Sequence, residues 1–294
     1  MNREDYIKTS DYKKALGVVR SFTYDALNGC INNLKNEDIT LLIDKIENKN
    51  TKNLYFGNIN DPDMYYITQA IYIVVWGHIF DLTFDKMGSW GRIKHPFRGD
   101  TMNSFNSVFG RDMMIAKRYE VEDVLIKRIK EFACLYHSIG NFIVLPNKLN
   151  INSMRANYYT MQDYFDSFVG ALYQYKHPNE ETVYKSFCDQ LNDAFAENKI
   201  FNEISFDKYV DYFFLRDYVK EGKPFNVFSI EFDIRKKEYK GRLRRSKILH
   251  ITKEEYISLA SNYLETAEKI IRNRADSIID ILNNALNNDI NCNK

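Results

Sequence analysis

The densest group of chemically competent side chains is a basic run at residues 235–247. It contains one acid, Glu238, and eight bases: Arg235, Lys236, Lys237, Lys240, Arg242, Arg244, Arg245 and Lys247. The run carries +7 and the whole chain +1, so the remaining residues carry −6. Clustered cations displace the counterions condensed on a polyanion, and an interleaved aromatic, Tyr239, can stack on a base. The run therefore predicts a nucleic-acid contact, with an acidic protein surface or a solvated loop as the alternatives.

A second group of candidates lies around an apolar stretch in the middle of the chain. The order of Gly140, Asn141, Phe142 and Asn150 is similar to the tail of HNH-type nuclease modules, where histidine and asparagine side chains hold a divalent metal and activate water. The Asp-His strand expected before such a tail is missing, and the nearest candidate, His95, has no adjacent acid. The alternative is that Asn141 and Asn150 tie a buried loop through backbone hydrogen bonds.

Two carboxylates follow at helical spacing. Asp163 and Asp166 are three residues apart, so on a helix they share a face. They could bind a divalent cation together with Asn150, or hold Arg155. The alternative to catalysis, for these two and for Asp211 and Asp217, is structural. An acid in the first turn of a helix complements the helix dipole, and an aspartate can pair with an internal arginine such as Arg216.

Other kinds of site have weaker support in the sequence. The four cysteines are far apart and the five histidines show no HExxH pattern, so we predict no zinc site, no disulfide framework and no bound cofactor, a divalent metal being the one exception left open. Arg245 and His250 match the loose R-x4-H spacing of HEPN-type ribonucleases, but they lie just before a helix start rather than within a helix.

The elements that must position these residues are mostly helices. Five prolines and twelve glycines in 294 residues favour long regular elements. Apolar residues recur at helical spacing over 12–34, 64–85, 121–136, 161–175, 180–195 and 206–219. The clearest helix is the last, where Thr252 and Glu255 form a capping box and Arg274 is the only charge in the apolar stripe. Alternation over residues 224–232 predicts one strand, with 143–145 as its candidate partner.

We therefore predict a mainly α fold with a minor small sheet, in which residues 1–294 form one compact helical domain. The basic loop at 235–250 and a long C-terminal helix at 252–288 are expected as appended elements. The apolar stripe of that helix can pack on the body of the chain or on a second copy, so a homodimer is the alternative. No signal or transit sequence opens the chain, and the apolar stretch at 71–80 is about half of the roughly 20 residues a membrane span needs, so we expect a cytoplasmic protein without membrane contact.

Three landmarks in the sequence resemble a known family. They are DTMNSF at 100–105, the segment from His137 to Phe168 containing IGNFIVLP, and YVDYFFLRD at 209–217. Their order is similar to that in the uncharacterised bacterial DUF6994-like proteins, over roughly residues 61–232. After Phe232 we expect the chain to depart from the family, because the relatives continue through an acidic loop where the basic run stands. The resemblance implies no activity, but it singles out Asp100, Asn141, Asn150, Arg155, Asp163, Asp166, Asp211 and Asp217.

Three functions follow as hypotheses. The leading one is a nucleic-acid-associated protein, in bacterial defence or counter-defence against mobile elements. The alternative is a non-enzymatic binding module or inhibitor that grips an acidic partner through the basic loop and the last helix. The third is a divalent-metal-dependent nuclease with a degenerate HNH-like loop, for which His95, Asn141, Asn150, Asp163 and Asp166 are the candidate catalytic residues.

Overall fold

The computed structural model describes residues 2–26, 66–87, 95–105, 123–136, 138–147, 149, 162–163, 165–179, 185–195, 202–225, 227–228 and 252–292. These ranges are mainly helical, which confirms the predicted fold class. The helices are α1 (Arg3–Tyr6), α2 (Ser10–Ala26), α3 (Tyr66–Phe80), α4 (Asp123–Tyr136), α5 (Asp166–Lys176), α6 (Lys185–Phe195), α7 (Phe206–Tyr212) and α8 (Lys253–Cys292). Short 3-10 turns occupy Phe84–Lys86, Ile139–Asn141 and Arg216–Tyr218.

The strands form three small antiparallel pairs within these ranges. The longest pair joins β1 (Phe97–Thr101) to β3 (Phe142–Pro146), with Phe97 opposite Pro146 and Thr101 opposite Phe142. The two shorter pairs join β2 (Ser104–Phe105) to β4 (Gln162–Asp163), and β5 (Val219–Lys220) to β6 (Lys223–Pro224). A minor β component is therefore present, as expected.

The strand predicted over residues 224–232 was placed wrongly. Pro224 ends β6, but Val227 and Phe228 form a turn, and residues 226 and 229–232 lie outside the described ranges. The predicted partner, 143–145, is indeed a strand, although it pairs with β1. Phe228 is buried because its ring stacks on Tyr263 of α8, so the apolar residue that suggested alternation serves helix packing rather than a strand ladder.

Helix α3 lies at the centre of the packing. Twelve of its fifteen residues are buried, because α2 packs along it and α1 and α8 also contact it. A helix covered on several sides has no need of a polar face, which explains its nearly continuous apolar sequence. Among the helices described, none combines the length and the apolar character required to cross a membrane.

Helix α8 uses its apolar stripe within the chain. It contacts α2, α3, α4 and the turn Ile139–Asn141, and the stripe residues Ala260, Leu264, Ala267, Ile271, Ile278 and Leu282 are all buried. The interpretation of the stripe as an intramolecular packing face is therefore confirmed. A homodimer through α8 stays a prediction, and it would have to use the exposed polar face of the helix.

The environment of His78 predicts a pH dependence of stability. This α3 residue is half-buried, with the Tyr212 ring edge-on at 5.6 Å between centroids. Burial, and after it the Arg3 guanidinium, lowers the pKa of His78 from 6.5 to about 4. Between these two values the unfolded chain binds a proton that the folded chain does not, so the melting temperature should fall as pH decreases through this window. His78→Gln should flatten that part of the profile, and an equally steep profile in the variant would contradict the prediction.

Candidate functional site

Parts of all three sequence landmarks meet at a buried polar cluster, which we define as Asn103, Asn141, Tyr218 and Arg274. The Asn141 Oδ1 accepts a hydrogen bond from the Asn103 backbone N–H at 2.9 Å, and its Nδ2 donates to the Asn103 carbonyl at 2.7 Å. The Tyr218 hydroxyl donates to Asn103 Oδ1 at 3.0 Å. These bonds confirm that Asn141 ties a buried loop, which was one of its two predicted roles.

The strand register explains why the two asparagines meet. Antiparallel pairing places Thr101 opposite Phe142, so the next residues outward are Met102 and Asn141, and the Met102 N–H donates to the Asn141 carbonyl at 2.7 Å. Asn103 follows immediately and faces the Asn141 amide. One residue later the chain enters β2, where Ser104 pairs with Asp163 of β4.

Arg274 joins the cluster from α8. Its side chain is 1% exposed, its Nε donates to the Phe213 carbonyl at 3.0 Å, and its Nη1 donates to the Gly140 carbonyl. No carboxylate among the described residues forms an ion pair with it. Burial lowers the pKa of Arg274 to about 10, against the opposing effect of nearby Tyr218, so the guanidinium stays charged at neutral pH. The arginine therefore fastens α8 to two separate loops by charge-assisted hydrogen bonds.

Tyr218 keeps its proton in this environment. Burial raises the pKa of its phenol far above the ordinary value of 10.0, partly offset by the hydrogen bond to Asn103, while Asp166 raises it further. The phenol is thus a hydrogen-bond donor throughout the physiological range. Since Asn103, Asn141 and Tyr218 are each 0% exposed, the cluster stabilises the fold and offers no open surface to a substrate.

A model of a family of unknown function, DUF6994, matches residues 95–278, which is more than half of the chain. The chain belongs to the DUF6994 family. All four members of the buried polar cluster lie within the match. The match begins later than the expected residue 61 and extends past Phe232 to residue 278. The expected difference between the basic run and the corresponding loop of the relatives stays a prediction. No curated protein and no solved structure matches the chain.

Three of the DUF6994 landmark aspartates are held by polar partners. Asp100 pairs with Arg98 at 3.3 Å, in a contact that leaves both side chains largely buried. Asp211 accepts from Arg216 Nε at 2.6 Å, and Asp217 accepts from Asn273 Nδ2 at 3.1 Å. The pairing of Asp211 with Arg216 is the structural role that was predicted as the alternative to catalysis.

The remaining candidates of the metal hypothesis are distributed differently. Asp166 begins α5 and is half-buried, near enough to Tyr218 to affect its pKa. Asp163 contributes its backbone to β4, and α5 begins only at Asp166, so the prediction that the two aspartates share a helix face is wrong. The Asp163 side chain lies outside the described part of the structure, as do Asn150 and Arg155. No group of three potential metal-binding side chains occurs among the residues that the structure describes.

His95 lies at the far end of the strand pair from Asn141. Its ring Nδ1 hydrogen-bonds with the Asp85 carbonyl at 2.8 Å, and its own carbonyl accepts from Asn147 at 3.0 Å. The pair from Phe97–Pro146 to Thr101–Phe142 spans four residue steps, or about 13 Å. An HNH-like centre would need both side chains at one metal ion, and this register separates them.

The basic run, with Arg245 and His250, lies outside the described ranges, and the nearest described residues are Phe228 and Thr252. Before it, Phe228 is fully buried, its ring stacks on Tyr263 at 4.8 Å, and its carbonyl accepts from Asn262 Nδ2 at 2.8 Å. After it, Thr252 precedes α8. Asn262 and Thr252 are ten residues apart, about 15 Å of helix. These two flanking residues thus both lie beside the N-terminal quarter of α8.

Proposed function

We propose that this DUF6994 protein binds nucleic acid through the basic run at residues 235–247. The observation that carries the proposal is the concentration of +7 in a segment of a chain whose remainder carries −6.

The charge distribution also indicates how such binding would work. Each base that contacts a phosphate releases condensed counterions, and this release supplies most of the favourable free energy of sequence-independent binding. The acidic remainder of the chain repels a polyanion, which restricts contact to the basic run and its immediate surroundings. We propose the conflict between bacteria and their mobile elements as the biological setting for this activity.

The triple variant Arg242→Ala, Arg244→Ala, Arg245→Ala tests the proposal. We expect its affinity for single-stranded or duplex DNA and for RNA to fall on the order of 10²-fold at about 0.1 M salt, because three phosphate contacts are lost. The matched control replaces three exposed lysines elsewhere, Lys208, Lys220 and Lys223, and removes the same charge. The control should bind as the unmodified chain does, which separates a local contact from a change in net charge.

Two outcomes would contradict the proposal. One is equal nucleic-acid affinity of the triple variant and the unmodified chain, which would place the contact elsewhere. The other is tighter binding to poly-glutamate than to DNA or RNA at the same salt concentration, which would favour the acidic-partner alternative. Fluorescence anisotropy with labelled probes measures all of these affinities in one format.

A further inference from the structure

One nitrogen of the Arg274 guanidinium takes no part in the hydrogen bonds of the buried polar cluster. The Nε donates to the Phe213 carbonyl and the Nη1 to the Gly140 carbonyl. The third nitrogen, Nη2, is buried and has no hydrogen-bond partner among the described residues. Buried polar atoms in folded proteins nearly always have a partner, which is a protein group, an ordered water or an ion. Nη2 therefore requires an acceptor that no described residue supplies.

The positive charge of Arg274 also lacks a counter-charge within the described part of the chain. The two carbonyl groups offer partial negative charges only. Asp166 and Asp217 add to the effect of burial on the pKa of nearby Tyr218, but neither of these described carboxylates forms an ion pair with Arg274. A buried charge is costly unless it is both paired and hydrogen-bonded. An acceptor that carries a negative charge would meet both requirements at once.

The polar side chains around the guanidinium are phenols. Besides burial, Tyr218, Tyr209 and Tyr72 affect the pKa of Arg274, so their hydroxyl groups lie near it. The Tyr209 ring stacks on Phe213 at 4.3 Å between centroids, and Phe213 supplies one of the carbonyls that Arg274 binds. Burial raises the pKa of Tyr209 far above its ordinary value, so this phenol stays neutral. Water could accept the Nη2 proton in these surroundings, but it would leave the charge uncompensated.

We propose that Arg274 binds a small monovalent anion of the size of chloride through Nη2, beside the buried polar cluster. The site accepts only a small ion, because Arg274 is 1% exposed and Tyr209 and Tyr218 are each 0% exposed. The bound anion neutralises the buried charge where α8 meets α7, and it thereby stabilises the folded state. This inference is independent of the proposed nucleic-acid binding, because the basic run contributes nothing to the site.

Thermal unfolding of the full chain tests the proposal. Potassium chloride replaces potassium gluconate between about 1 and 100 mM, and the ionic strength is held constant so that the screening of surface charges does not change. A ligand that binds only the folded chain raises its stability with the logarithm of the ligand concentration. We expect the melting temperature to rise by about 3–5 °C over this range. Equal melting temperatures in the two salts would contradict the proposal.

Two variants locate the effect. Arg274→Gln removes the buried charge and should abolish the chloride-dependent rise, whatever its melting temperature in gluconate. The control Arg272→Gln removes the same charge from the exposed side of α8, where the arginine pairs with Glu268, and should keep the full rise. A full rise in Arg274→Gln would place the anion elsewhere on the chain and overturn the proposal.

A crystal of the unmodified chain grown in bromide decides the matter even if Arg274→Gln does not fold. Bromide replaces chloride at such sites and scatters anomalously. An anomalous peak within hydrogen-bond distance of Arg274 Nη2 is the expected result. Density for a water molecule at that position, or no density, without an anomalous peak would contradict the assignment.

Discussion

Arg274→Ala should lower the free energy of unfolding by about 3–5 kcal/mol. The substitution leaves the buried carbonyls of Gly140 and Phe213 without their donor and opens a cavity where the guanidinium lay. It also releases α8 from the two loops that carry landmark residues of the DUF6994 family. The stability of Arg274→Lys should fall between those of the alanine variant and the unmodified chain, because an ammonium group lacks the planar fork with which the guanidinium reaches both carbonyls.

Urea denaturation of the full chain measures this loss. The matched control is Arg272→Ala, two residues away on the exposed side of the same helix, where the arginine pairs with Glu268 at 2.9 Å. Its loss should be below about 1 kcal/mol, since an exposed i,i+4 pair contributes little. Similar losses for the two alanine variants would show that Arg274 does not hold the loops together.

Gly140→Ala is the second substitution with a large expected effect. A Cβ at this position would meet the Ile271 carbonyl oxygen, and it would lie 2.8 Å from the Ala275 Cβ. The obstructing atoms belong to the α8 backbone and to a short side chain, so they cannot rotate away and the helix itself must shift. We expect a loss of about 2–3 kcal/mol, the typical cost of overpacking a buried contact.

Gly17→Ala provides a control of opposite sign. Gly17 lies inside α2, and an added Cβ there meets nothing within 4 Å. Alanine in a helix interior is favoured over glycine by about 0.5–1 kcal/mol, so this variant should be slightly more stable than the unmodified chain. A Gly140→Ala variant as stable as the Gly17→Ala variant would contradict the close approach of α8 to the turn Ile139–Asn141.

Features with local causes were predicted well from the sequence. The helical periods located every described helix except the short α1, although the helix predicted over 206–219 ends at Tyr212. The capping pattern at Thr252 gave the start of α8 to within one residue. Arg274 was recognised as the only charge in an apolar stripe, because a charge in such a stripe breaks a regular pattern. The family was recognised from the order of short landmarks, and the family match confirms it.

Features that depend on distant pairing were not predicted. The alternation over residues 224–232 has the period of a strand, but period alone does not distinguish a strand from a turn whose aromatic residue packs on a helix. The partner of β3 is β1, about forty residues away in sequence, and no local signal specifies that register. Asn103 and Tyr218 were also missed as members of the buried polar cluster. Neither residue type suggests a buried network until the register brings Asn103 against Asn141.

The most direct test of the nucleic-acid proposal is the salt dependence of binding by the unmodified full chain, measured between about 50 and 200 mM salt. If most of the eight bases of the run contact phosphates, log K should fall linearly with log salt concentration, with a slope of about −4 or steeper. A slope near zero, or no binding at the lowest salt concentration, would contradict the assignment of the basic run as a nucleic-acid surface.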